Sequence, residues 1–389
     1  MKGDSSAGRM AGGLDELGLL APLALGLMLF NGLNPPAILL AAGLFLMVSG
    51  LVWRISVPVA PMSIMAAYAV ATAVPTDRVL AAGALAGLAL VTIGLARVFD
   101  KVHRWVDPAV IRGAEAAAGI LLIPRGADLI AGTTVVQRLC HAAEPHLRIQ
   151  SLGGVAAGIL IGVAGVAATL LLPRSRRWLA VPIVMGAGLV LGLILGTHDG
   201  LEKVRLGLHW PRWLPYGIAS PVDFALALVI LTLPQVPATV DEAAHLSRQG
   251  SPTARRLTPS SLCVAAGLVN LFSFTVGGPP LGYSGGFSAR PRWYSCALGF
   301  ALVVLALLLG FHLLSLIHLI PLAVVGALLI VTGVRMVLAL ARLNGLRDVL
   351  TAAVVCAVTW GGNLGLGFAG GIIAAWLLRF GQARGNRRQ

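Results

Sequence analysis

Two stretches of this chain interrupt apolar runs with residues that cannot continue a helix. The first is Val57-Pro58-Val59-Ala60-Pro61-Met62-Ser63-Ile64. Two prolines in four residues remove backbone donors and clash with the preceding turn, so the helix must stop and restart near Pro61, where proline is tolerated. The second is Gly277-Gly278-Pro279-Pro280-Leu281-Gly282-Tyr283-Ser284-Gly285-Gly286. It reads as extended backbone leading into a short helix that starts near Tyr283. A helix N-terminus carries unpaired N–H groups and partial positive charge. Two such ends facing each other would hold an anion without a lysine or an arginine. The residues nearest that point are Pro61, Met62 and Ser63 on one side and Gly282, Tyr283 and Ser284 on the other. Three of these bring hydroxyl donors.

Gln235 and Thr239 are four apart, on one face of a helix. They can offer hydrogen bonds to an oxyanion or to a neighbouring helix. Glu16, Asp241 and Glu242 sit at or near the ends of apolar runs. An acid at membrane depth is a candidate to carry a coupling proton. The competing reading for Asp241-Glu242 is a solvated helix end paired with His245 and Arg248. Arg112 and Glu115 read as a local ion pair, and His312 and His318 as packing near the outer boundary.

Broken backbone is tolerated at membrane depth only where protein buries it or it lines a cavity, so the surrounding elements decide what these residues can do. Hydrophobic residues make up 57% of the chain and charged residues 11%, against about 25% charged in a soluble domain. Lipid must cover that apolar surface. The 389 residues divide into fourteen apolar spans: 16–32, 36–53, 58–74, 79–98, 108–124, 151–172, 178–196, 222–246, 259–275, 281–289 with the stretch before it, 293–311, 316–338, 347–360 and 363–380. The two broken stretches are the third and the tenth, seven spans apart. Pro108-Ala-Val-Ile-Arg-Gly113 opens the fifth span and Pro321-Leu-Ala-Val-Val-Gly326 the twelfth. A shift of seven spans reverses direction, which is the mark of an inverted-topology repeat.

An even number of spans puts both termini on one side. With both in the cytoplasm, 22 Lys and Arg fall inside and 7 outside, which accounts for the net charge of +14 by the positive-inside rule and removes nucleic acid as a partner. Tryptophans cluster at span ends as an aromatic belt requires. Cys140, Cys263, Cys296 and Cys356 form no Cys-x-x-Cys, so no metal site and no cofactor are expected. There is no Gly-x4-Gly-Lys-Ser/Thr loop and no His-Glu-x-x-His, so neither an ATP-driven pump nor an intramembrane metalloprotease is expected, and no enzyme.

The ordered motifs resemble the molybdate/sulfate transporter family, a branch of the sulfate-permease superfamily with the inverted-repeat fold of uracil-type transporters. Asp15-Glu16-Leu17-Gly18 with Ala21-Pro22-Leu23, Pro58-Val59-Ala60-Pro61-Met62-Ser63, Leu233-Pro234-Gln235-Val236-Pro237-Ala238-Thr239, Ala254-Arg255-Arg256-Leu257-Thr258-Pro259 and Gly277–Gly286 each match a family stretch. The likeness runs from about Asp15 to Phe380. Ala60 stands where the family has glutamine, Ser63 where it has lysine, and Tyr283-Ser284 where Cys-His or His-Gly is usual.

The resemblance implies an all-α membrane protein of two inverted sevens. Its core would comprise residues 14–99 and 222–313 and its gate 100–197 and 314–380. A cytoplasmic tail over 1–13, an outer linker over 198–221 and a tail over 381–389 complete the chain, without the C-terminal regulatory domain of many sulfate permeases. The expected function is proton-coupled, alternating-access transport of a sulfate- or molybdate-class oxyanion across a plasma membrane, the bacterial inner membrane. The expected partners are that anion and membrane lipid, with a homodimer left open. A same-fold carrier of bicarbonate, dicarboxylate or nucleobase, or a scaffold with a degenerate site, remains the alternative. In Gln389→Cys, with the native cysteines replaced, an impermeant thiol reagent should label position 389 only after the membrane is opened. Labelling from outside intact cells would contradict the topology.

Overall fold

A computed structural model describes residues 20–53, 55–56, 58–99, 105–172, 179–198, 204–249, 257–283 and 288–385. The chain begins with α1 (Leu20–Asn31), α2 (Pro35–Val52), β1 (Ile55–Ser56), β2 (Val59–Pro61), α3 (Ser63–Thr72) and α4 (Thr76–Leu95). Next come α5 (Pro108–Ala131), α6 (Val135–Leu139), β3 (Ser151–Leu152), β4 (Val155–Ala156), α7 (Ala157–Leu171) and α8 (Ala180–Leu195). Then α9 (Pro221–Ala227) passes through a π turn (Leu228–Thr232) into α10 (Leu233–Gln249), followed by α11 (Pro259–Val276). Strands β5 (Leu281–Tyr283) and β6 (Ser288–Pro291) precede α12 (Arg292–Leu309) and α13 (Leu313–Ile317). The chain closes with α14 (Leu322–Val337), α15 (Leu346–Gly361) and α16 (Leu364–Gly385). Among the described residues, seven helical segments are long and apolar enough to cross a membrane.

Three helix pairs cross at glycines. A Cβ added to Gly87 (α4) would come 2.9 Å from the carbonyl of Gly267 (α11), and one on Gly267 would come 2.6 Å from that of Gly87. Gly43 (α2) and Gly299 (α12) block each other in the same way. Between α5 and α14 there are two such contacts. They join Gly126 to Gly326 at 2.5 Å and Gly119 to Gly333 at 2.7 Å, in both directions. Numbers that rise along α5 fall along α14, so these helices run antiparallel. Backbone contact of this kind needs residues without side chains and is how apolar helices pack without a hydrophobic drive between them.

The sequence reading of the second broken stretch needs correction. No half-helix starts at Tyr283 among the described residues. Leu281–Tyr283 is β5, and β6 follows after four positions and runs directly into α12. Ser284 lies among those four positions, outside the described residues, as does Glu16. The physical reason is local. Gly285-Gly286 and Pro291 are poor helix formers, and β1 offers β6 an antiparallel partner, Ile55 opposite Pro291 and Ser56 opposite Ser288. The Ser56 and Ser295 hydroxyls, 2.7 Å apart, close that end.

Carboxylates cap α5 and α14 at opposite ends of that antiparallel pair. Asp107 accepts from Ala109 N at 3.0 Å at the start of α5. It is neutralised by Arg347 at 2.7 Å and Arg379 at 3.0 Å. Glu144, in the connector between α6 and β3, accepts from Leu322 N at 2.9 Å and Ala323 N at 2.7 Å at the start of α14. It is 1% exposed. His146 and His318 stack nearby at 4.2 Å. Burial pushes the Glu144 carboxyl up from 4.5 to about 7, although both helix N–H groups pull it down. The folded protein therefore binds this proton more tightly than the unfolded chain. The resulting stabilisation is complete below pH 4.5 and fades as pH rises to about 7, by about 3 kcal/mol. Glu144→Gln should lose this share of the pH dependence. The difference between the two proteins' thermal midpoints across that window isolates Glu144 from the histidines. Parallel curves would show that Glu144 does not titrate there.

Candidate functional site

The first broken stretch folds as the sequence demands, with β2 extended and α3 starting at Ser63. Its partner is the second broken stretch. Strands β2 and β5 pair antiparallel, Val59 opposite Tyr283, Ala60 opposite Gly282 and Pro61 opposite Leu281. The Met62 amide extends the ladder to Pro280 O at 2.9 Å. All six paired residues and Met62 are buried. The two breaks thus satisfy each other's backbone groups at a depth where water cannot.

Side chains brace the rest. The Gln235 Oε1 accepts from Met65 N at 3.0 Å and so occupies the third amide of α3. Its Nε2 donates to Thr239 Oγ1 at 3.1 Å. Both residues are within 1% of full burial. The π turn just before them sits where Pro234 and Pro237 leave carbonyls without donors, and it directs the Gln235 face toward α3. Asn270 of α11 holds β5 through Leu281 N (2.6 Å) and Leu281 O (2.8 Å). Ser273 donates to Pro279 O at 2.6 Å. At the far end of α3, Asn31 donates to Ala69 O at 2.9 Å and Val74 O at 2.7 Å. The amides of Ser63 and Ile64 are the first two of α3 and have no partner within the helix.

The strand alternation decides which side chains face this end of α3. Gly282 does: a Cβ there would meet the Met62 side chain at 3.4 Å and Glu242 Oε2 at 3.9 Å. Tyr283 does not. Its hydroxyl donates to Leu262 O at 2.9 Å, and its ring packs on Phe45 at 5.1 Å and Trp53 at 6.2 Å. The sequence reading put Tyr283 beside a ligand; the strand turns it into an aromatic cluster instead. Pro61, Met62, Ser63, Gly282, Gln235 and Thr239 come together, but the last two spend their hydrogen bonds on α3 and on each other. Asp241 is half-buried on α10 one residue before Glu242. Arg112 of α5 donates to Arg342 O at 2.6 Å.

Asn31, Asn270 and Ser273 were missed in the sequence. The signal was present, because a polar side chain inside an apolar span is unfavourable unless it satisfies another polar group. An asparagine just ahead of a break is therefore a candidate brace.

The fold agrees with that of similar proteins of known structure. A family model described as a molybdate transporter of the MFS superfamily matches residues 8–122. Molybdate transporter 1 of Arabidopsis thaliana is 23% identical, over 98% of this chain and 90% of that protein. Molybdate transporter 1 of Chlamydomonas reinhardtii is 25% identical, over 94% and 90%. The chain is similar to the molybdate transporters over nearly its whole length. Among solved structures, the transmembrane domain of the cyanobacterial bicarbonate transporter BicA superposes with a TM-score of 0.64 at 17% identity, covering 96% of this chain and 98% of that one. Murine Slc26a9, an anion transporter in its inward-facing state, gives 0.62 at 16% identity, covering 98% and 69%. The chain is a multi-pass membrane protein with the fold of those carriers, and its matches are transporters and not enzymes.

Gln235→Leu should leave the Met65 amide unpaired in the interior and lower stability by about 1–3 kcal/mol. Gln235→Glu keeps an acceptor for the Met65 amide, so it should lose less stability than Gln235→Leu. Thermal midpoints in detergent separate the two. A Leu variant as stable as the parent would refute the bracing role.

Proposed function

We propose that this chain carries a small oxyanion of the molybdate or sulfate class across the membrane as a secondary active transporter. The observation that carries this reading is the buried start of α3 between two apolar helices, beside Met62 and Gly282, with its first two amides unpaired within the helix. An oxyanion there must replace its hydration shell, and helix N–H groups with the helix dipole supply that replacement. The molybdate transporters among its relatives favour the substrate class. With β5 over Leu281–Tyr283 and β6 over Ser288–Pro291, the site rests on the start of α3, and the Ser63 hydroxyl is its side-chain donor among the described residues.

Fourteen crossings in two inverted sevens are the architecture we infer. Under a shift of seven spans, the α2–α12 pair exchanges with α11–α4, while α5–α14 and β2–β5 each map onto themselves. The glycine crossings of the three helix pairs and the β2–β5 register support that relation. Core residues 14–99 and 222–313 would then move against gate residues 100–197 and 314–380. One contact across that boundary is the Arg125 guanidinium of α5, which donates to Ala71 O of α3 at 3.0 Å and lies 5.3 Å over Phe30. Alternating access would break and remake it. Both termini would face the cytoplasm of a plasma membrane, and the protein would work as a homodimer.

Coupling to protons is assigned to Glu16, Asp241 or Glu242. Glu242 is favoured by its place beside Gly282, where an arriving anion and a carboxylate repel unless a proton accompanies the anion. Uptake of labelled molybdate, sulfate and bicarbonate into proteoliposomes, with and without an inward proton gradient, tests the whole reading. Saturable uptake of molybdate or sulfate, driven by the gradient, is expected. Glu242→Gln should keep anion exchange but lose the drive from the gradient. If no oxyanion is taken up, the transport reading fails. If Glu16→Gln, Asp241→Asn and Glu242→Gln all keep their pH dependence, the coupling group lies elsewhere.

A further inference from the structure

The largest cavity described is separate from the start of α3. It is a groove of about 980 Å³ between α2 and the end of α4, floored by α11. Its walls are aliphatic and aromatic, among them Leu44, Val48, Leu95, Leu268 and Phe272. Leu95 and Leu268 are 69% and 56% exposed, so the groove opens toward the surroundings of the helices. In a chain that spans a membrane, those surroundings are hydrocarbon.

One end of the groove differs in chemistry. Arg97, Thr258, Ser260 and Ser261 line it there, contributed by the end of α4 and the start of α11. Thr258 and Ser261 form a capping box: Thr258 Oγ1 accepts from Ser261 N at 3.2 Å, and Ser261 Oγ accepts from Thr258 N at 3.3 Å. These hydroxyls are therefore fixed at the mouth. Arg97 follows α4 with φ +55°, a left-handed conformation at a helix end that usually calls for glycine. The buried Trp53 stands at the same end, one residue past α2. Three helices thus put their polar or amphipathic terminal residues at one level and their aliphatic residues at another.

The length fits one leaflet. From Ser260 to Phe272 along α11 is about 18 Å at 1.5 Å per residue, against roughly 15 Å for half of a hydrocarbon core of about 30 Å. By the positive-inside topology the mouth is cytoplasmic. A small soluble ligand would have no use for an aliphatic trough of that length, and a transmembrane peptide would bring no group for Arg97.

We propose that this groove holds one phospholipid of the inner leaflet, with an acyl chain along Leu44, Val48, Leu268 and Phe272 and an anionic headgroup phosphate at Arg97. The guanidinium pairs with the phosphate by charge-assisted hydrogen bonds, and the Ser260 and Ser261 end of α11 offers further polar contact. The site lies between α2, α4 and α11, which pack in the core, so an occupant would wedge these helices and not touch the anion path.

Native mass spectrometry of the intact, detergent-purified protein tests this, with phosphatidylglycerol and phosphatidylcholine of equal chain length as probes. The parent protein should retain one phosphatidylglycerol with an affinity roughly ten-fold above that for phosphatidylcholine. Arg97→Ala should lose the preference and bind both lipids alike, and Arg97→Lys should keep most of it. Leu268→Trp, on an exposed face where it does not threaten the fold, should fill the trough and lose the retained lipid. Equal retention of the two lipids by the parent protein would overturn headgroup recognition. Undiminished phosphatidylglycerol retention in Leu268→Trp would overturn the location.

Discussion

A backbone that leaves a helix inside a membrane must find partners for its N–H and C=O groups without water, and the architecture around α3 follows from that constraint. The chain breaks twice, at Pro58–Pro61 and at Gly277–Gly282, and each break supplies the other's partners through the β2–β5 ladder. What the ladder leaves over is taken by side chains from the helices alongside. Asn270 serves both faces of Leu281, Ser273 takes Pro279 O, and Gln235 takes the third amide of α3. The amides of Ser63 and Ile64 lie beyond the reach of this accounting. An anion is the natural partner for such donors.

The glycine crossings serve the same end at the level of helices. Helices at membrane depth gain little from burying apolar surface against one another, so close packing has to come from shape. Reciprocal glycine contacts bring α5 against α14, α4 against α11 and α2 against α12. The last two pairs carry the loops that lead into and out of both breaks, and so they set the distance at which β2 and β5 meet. The α5–α14 pair stands beside them, its two ends closed by Asp107 and Glu144. These caps differ in kind. Asp107 has two arginines, whereas Glu144 is held by helix amides alone.

Much of this arrangement was legible in the residues. Proline spacing placed the restart of α3 at Pro61, and four-residue spacing put Gln235 and Thr239 on one face. The repeat of Pro108–Gly113 at Pro321–Gly326 marked two helix starts that lie at opposite ends of an antiparallel pair. What could not be read was long-range. The β2–β5 register joins residues more than two hundred positions apart, and strand alternation alone decides that Gly282 faces Met62 while Tyr283 faces Phe45. The half-helix expected at Tyr283 failed because a local pattern was weighed without the competing partner, β1, that lets β6 stay extended. Glu144 reads as an ordinary loop acid until the start of α14 is brought against it.

The most direct measurement removes one backbone donor from α3. Proline is well accepted at the first position of a helix, and Met62, with ψ 111°, lies outside the α region that a following proline disfavours. Ser63→Pro therefore deletes the first amide and the hydroxyl together, and Ser63→Ala deletes the hydroxyl alone. Equilibrium binding of labelled molybdate and sulfate to the two purified variants should differ by about ten-fold or more, or at least ~1.4 kcal/mol, with the proline variant the weaker at equal thermal stability. Equal affinity in the two variants would mean that the helix end is not where the anion binds.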